Sequence, residues 1–109
     1  MNISEDRLQR SLTYLAESDE EFAKAKGFME GMSKQEKTVL GMVFLEKTGT
    51  NQEREYQART SNEYEEWRVK YQGAVCDYEL YRNKRITETL IVDVWRSLNS
   101  NRRQAGGNL

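Results

Sequence analysis

The sequence predicts an all-α protein: a long antiparallel helical hairpin of coiled-coil character, with a short N-terminal helix and a short connector helix. Three observations carry that prediction. Proline is absent from all 109 residues, so nothing in the covalent chain forces a helix to break. Apolar residues recur at steps of three, four and seven, and no alternating run or tight-hairpin dipeptide competes with that period. Hydrophobic residues make up 37% of the chain and charged residues 32%, below and above the usual balance of a globular domain. Such a composition fills a thin seam between long helices better than it covers a sheet on two faces.

The first helix is expected from about Glu5 to Glu17. Ser4 is a suitable N-cap, Glu5 and Asp6 favour the positive end of the macrodipole, and Leu8, Leu12 and Leu15 form its apolar stripe. Ser18 then opens a capping box with Glu21, and a second helix is expected to run to about Lys47. Phe22, Ala25, Met29, Met32, Val39 and Val43 give its stripe, widened by Phe28, Leu40, Met42 and Phe44. Gly27, Gly31 and Gly41 each cost roughly 1 kcal/mol relative to alanine in a helix interior. The stretch Gly31-Met32-Ser33 is the expected kink or break, with a restart at Lys34.

Gly49 reads as the stop after Lys47. Thr50 and Glu53 form a second capping box, which opens a connector helix to about Arg59. Residues 60–63 stop and restart the chain once more. A last helix is then expected to about Asn99, on the stripe Tyr64, Trp67, Tyr71, Val75, Tyr78, Ile86, Leu90, Val94 and Leu98. The expected division is one helical domain over residues 1–103 and a flexible tail over 104–109. The last helix would be roughly 55 Å long at the usual helical rise, against a diameter of about 30 Å for a compact monomer of this size. Part of its stripe is therefore expected to be covered by a second copy, most simply in a twofold homodimer.

The search for chemistry comes out negative. There is no histidine, which removes Ser-His-Asp and Cys-His arrangements and histidine-ligated zinc. Cys76 is the sole cysteine, so it forms no intrachain disulfide, and its place beside the apolar stripe predicts a buried, inert thiol. Residues 47–50 carry a fragment of a phosphate loop without its order or its preceding strand. The acids also fail to make a magnesium site of the kind used by helical nucleotide pyrophosphohydrolases, which pair E-E-x-x-E with E-x-x-D. Lys24 follows Glu20-Glu21 at the required place, Val69 follows Glu65-Glu66, and Glu88 and Asp93 do not share a face. No catalytic residue, metal ligand or cofactor site is expected, and the protein is expected not to be an enzyme.

Two features suggest binding. Tyr64, Trp67, Tyr71 and Tyr78 share one helical face with Tyr81 beside it, a strip that can stack single-stranded bases or fill a thin bundle. Six cations, Arg82, Lys84, Arg85, Arg96, Arg102 and Arg103, face only Glu88 and Asp93 over the same stretch, which can meet phosphates or simply favour a helix C-terminal end. The overall charge of −1 gives no further direction. Tyr71, Tyr78, Arg82, Lys84, Arg85, Trp95 and Arg96 are the candidate contacts to a protein partner or single-stranded DNA. The start lacks the apolar core of a signal peptide, and the longest apolar run is far short of the ~20 residues that span a bilayer. A cytoplasmic location without membrane contact is expected.

Stretches 14–23 (YLAESDEEFA), 44–54 (FLEKTGTNQER), 78–85 (YELYRNKR) and 94–97 (VWRS), with Arg102 and Arg103, resemble a family of small helical proteins of tailed phages and prophages. Members of that family are mostly without assigned function and sit beside recombination or replication genes. The resemblance implies an accessory protein of phage DNA recombination or replication, acting in the host cytoplasm on a phage or host DNA-metabolism protein. It transfers no catalytic residue. Two rival expectations remain: an inhibitor of a bacterial defence nuclease or RNA-guided effector, with acids at 17–21 and 63–66 imitating phosphates, and a structural or assembly protein.

Overall fold

Helix starts follow local chemistry where the chain leaves them alone. The Ser4 hydroxyl accepts the Arg7 amide at 3.0 Å, and α1 begins at the next residue. In the computed structural model, which describes residues 2–107, the elements are α1 (Glu5–Lys34), α2 (Glu36–Glu46), α3 (Asn51–Arg59) and α4 (Asn62–Gly107). The protein is all-α, and no strand occurs among the described residues.

Two boundaries in the first half of the chain differ from the sequence expectation, and each has a distant cause. No helix ends at Glu17, because α1 continues through Ser18. That hydroxyl is buried and accepts from the Arg85 guanidinium at 2.7 Å, so it does not cap. The break also falls at Gln35, past Gly31-Met32-Ser33. There the Met32 carbonyl accepts the Gln35 amide three residues on, at 3.2 Å, and the Trp67 indole N–H at 2.7 Å. A side-chain donor inserted at a carbonyl of the helical ladder is a recognised cause of a kink.

The connector forms as its residues dictate. Lys47 is extended, Gly49 takes φ +118°, and a side chain there would run into the Glu53 carboxylate. The Thr50 hydroxyl accepts the Glu53 amide at 3.1 Å, while the Glu53 carboxylate accepts the Thr50 amide at 3.4 Å. This is the expected capping box. Ser61 starts α4 by accepting the Tyr64 amide at 3.2 Å. The helix then runs to Gly107, past the expected end at Asn99. Of the tail expected to be flexible, residues 104–107 are helical, and 108 and 109 lie outside the described residues.

The contacts group the chain into two compact units. One is Met1–Phe22 with Leu80–Leu109, and the other is Ala23–Glu79. In the second unit, Met32, Trp67 and Ala74 form the buried cluster, with Met29, Val39, Tyr64 and Tyr71 packed on it. Trp67 stacks on Tyr64 and Tyr71 at centroid distances of 5.4 and 5.2 Å. Contacts run antiparallel within the first unit: Arg7 and Ser11 meet Glu88, while Ser18 meets Arg85.

The first unit's seam corrects the expected stripe. Ile86 and Leu90 are exposed, whereas Tyr81, Arg85, Glu88, Val92 and Trp95, at steps of three and four, are half-buried or buried, and Ile91, Val94 and Leu98 of the same stretch are half-buried too. Arg7 pairs with Glu88 at 2.9 Å, and the buried Ser11 donates to the same carboxylate at 2.5 Å. Arg85 also donates to the Leu15 carbonyl at 2.9 Å. Among the described residues no buried side-chain polar atom lacks a partner, which is what makes a polar seam tolerable. Cys76 is exposed, contrary to the buried thiol expected, because Ala74 takes the nearby seam position.

Candidate protein-binding surface

Helix α2 carries apolar residues on every side, which ordinarily marks a helix buried all round. Val43 is 3% exposed, and Val39 joins the Trp67 cluster. Leu40 and Phe44 line a cleft of about 230 Å³ with Gly41, Glu55, Ala58 and Arg59. Arg54 of α3 locks this side. Its guanidinium lies 4.0 Å from the Phe44 ring centre and donates twice to the Phe44 carbonyl, at 3.2 and 3.1 Å. The same carbonyl, at the C-terminal end of α2, also accepts the Lys47 amide at 3.2 Å. The remaining side of α2 is bare. Met42 is 62% exposed and Leu45 78%.

Acids flank that side. A cleft of about 230 Å³ is lined by Val39, Met42, Val43, Glu46, Glu63 and Glu66. Beside it, Met32, Gln35, Val39, Glu63, Glu66, Trp67 and Lys70 line another of about 200 Å³. Glu63 and Glu65 stand in the first turn of α4, where the helix dipole favours negative charge. Glu65 is already held by Arg68, at 2.9 and 2.8 Å, and this hydrogen bonding keeps its carboxyl below the usual value. The surface therefore offers apolar side chains beside carboxylates, a setting suited to an apolar anchor flanked by cations.

The sequence-predicted contact residues differ in how far each is engaged within its own unit. Tyr71 is stacked on Trp67 within the second unit's core. Arg85 is committed to the Leu15 carbonyl, Ser18 and Asp19, and Tyr78 and Trp95 are half-buried. Arg82, Lys84 and Arg96 are exposed. The Lys84 ammonium lies 4.3 Å from the Tyr14 ring centre, and Arg96 lies 4.0 Å from Asp93. Within the aromatic strip Tyr64, Trp67 and Tyr71 stack on one another, which occupies ring faces that bases would need. Hydrophobic spacing makes the α2 residues a widened stripe and nothing more, and only contacts reveal which side of an all-apolar helix stays open.

Among the described residues no cluster of three or more acids, cysteines or histidines is arranged to hold a metal ion. None of the helices is long and apolar enough to cross a membrane. No known protein family, characterised relative or solved structure matches the chain.

Proposed function

We propose that this protein is a non-enzymatic accessory factor of phage DNA recombination or replication, working in the host cytoplasm as a homodimer through protein–protein contacts. The observation that carries the binding part is the bare side of α2, where Met42 is exposed in a cleft with Glu46, Glu63 and Glu66, and Leu45 is exposed three residues on. An exposed apolar patch rimmed by charge marks an interaction site. The partner that fits it presents an apolar side chain flanked by lysine or arginine. The resemblance to phage proteins supplies the setting. Single-stranded DNA is a secondary ligand in this reading, met by exposed cations such as Lys84 and Arg96 and therefore weakened steeply by salt.

A second reading is favoured by the same carboxylates. Glu46, Glu63 and Glu66 can stand in for phosphates, so that the protein inhibits a defence nuclease by occupying its nucleic-acid groove. Co-purification of tagged protein from infected cells separates the two. A phage annealing or replication protein as dominant partner supports the first reading, and a defence nuclease supports the second. In either case Met42→Glu with Leu45→Glu should weaken the complex by at least about 100-fold, since each large apolar side chain contributes roughly 1.5–3 kcal/mol when buried. Equal binding by wild type and variant would remove the α2 surface from consideration.

A further inference from the structure

In the first unit, α4 carries a second periodic face. Leu80, Asn83, Thr87, Leu90 and Val94 follow one another at steps of three and four, about half a helical turn from the seam residues Arg85, Glu88 and Val92. Leu80 is 65% exposed, Leu90 57%, and Ile86 beside them 45%, while Val94 is half-buried. Isolated surface leucines need no explanation, but a run in the period of lengthwise helix packing does.

We infer that this face is buried against the same face of a second copy, with the two α4 helices parallel about a twofold axis. The inference rests on the homodimer reading above and gives that dimer its surface. In heptad terms Leu80, Thr87 and Val94 take position a, while Asn83 and Leu90 take d. The β-branched Thr87 and Val94 at a with Leu90 at d suit two parallel strands, and the polar Asn83 and Thr87 lie between the apolar ends of the seam.

Charge decides the direction. In the parallel arrangement Glu79 of one copy flanks Lys84 of the other, and Ile86 flanks Ile91. The antiparallel arrangement sets Lys84 against its own copy and Glu79 against Asp93, two repulsive pairs. A second copy therefore matches this face in period, residue type and sign, and only when parallel.

Sedimentation equilibrium of the full chain tests the surface, with circular dichroism to confirm unchanged helicity. The wild type is expected to sediment as a dimer, and Leu80→Asp with Leu90→Asp to raise the dissociation constant about 100-fold or more. A wild type that stays monomeric at every concentration overturns this inference and the homodimer reading together. A dimer indifferent to the double substitution overturns only the surface. Direction is read by oxidising Leu90→Cys in a Cys76→Ser background. Residue 90 meets its own copy only in the parallel arrangement, so a covalent dimer is expected. If a link forms only when Leu80→Cys and Leu90→Cys chains are mixed, the parallel arrangement is overturned.

Discussion

The two units solve the same packing problem with opposite chemistry. In the unit from Ala23 to Glu79, α4 places Tyr64, Trp67, Tyr71 and Ala74 against Met29, Met32 and Val39. In the other unit the same helix offers Arg85 and Glu88, which meet Ser18, Ser11 and Arg7. A ring-filled seam gains from area removed from water and tolerates little loss of volume. A polar seam contributes less net stability but penalises any change that orphans one of its groups. The first should fail through cavities and be indifferent to pH, whereas the second should fail through lost pairing and be sensitive to acid.

The largest expected effect tests the ring-filled seam. Trp67→Ala should destabilise by about 3–5 kcal/mol, the usual range for emptying an aromatic core position, measured by denaturant melts. It also releases the Met32 carbonyl, so hydrogen exchange should change at Gln35 and Glu36, where the helix now breaks. A stability loss with no change there would detach the break from the indole.

Next comes the polar seam. Glu88→Ala should cost roughly 2 kcal/mol at neutral pH, the scale of hydrogen bonds to a charged group. Arg7 first, and then Ser11, hold the Glu88 carboxyl below its ordinary value of 4.5. Its stabilisation is therefore complete above that ordinary value and lost as pH falls through the lower folded one. Glu88→Gln should flatten the acid side of the stability–pH curve, while Trp67→Ala should leave that slope intact. If the slopes change the other way round, the contrast between the units collapses.

Smaller effects sharpen the picture. Trp67→Phe keeps a ring but removes the N–H to Met32 and should cost about 1–2 kcal/mol, well short of the alanine variant. Thr50→Ala removes a cap outside both seams and should cost about 1 kcal/mol. Arg68→Ala breaks only an exposed pair with Glu65 and should leave the melting temperature within error.

Where a boundary depends on neighbours three residues away, it was legible. Ser4, the Thr50–Glu53 box and the limits of α3 all follow from local chemistry. Ser18 carries the same signature and is overridden, because Arg85 claims its hydroxyl from 67 positions away. The stripe failed for a related reason. Ile86 and Leu90 are the residues a hydrophobicity pattern selects, yet nearby Arg85 is half-buried and Glu88 buried because they find partners on α1. The candidate contacts suffered likewise, since Tyr71 and Arg85 look like binding groups until their own partners are seen.

The sequence by itself determined that the chain is helical, because the lack of proline and the apolar period leave no other regular structure. It also determined the capped connector, whose hydrogen bonds close within a few residues. Only tertiary structure decided where α1 breaks, which polar residues enter the seam and which side of α2 stays open. Those outcomes depend on which donor meets which acceptor across two helices, and hydrophobic spacing along one helix carries no record of that.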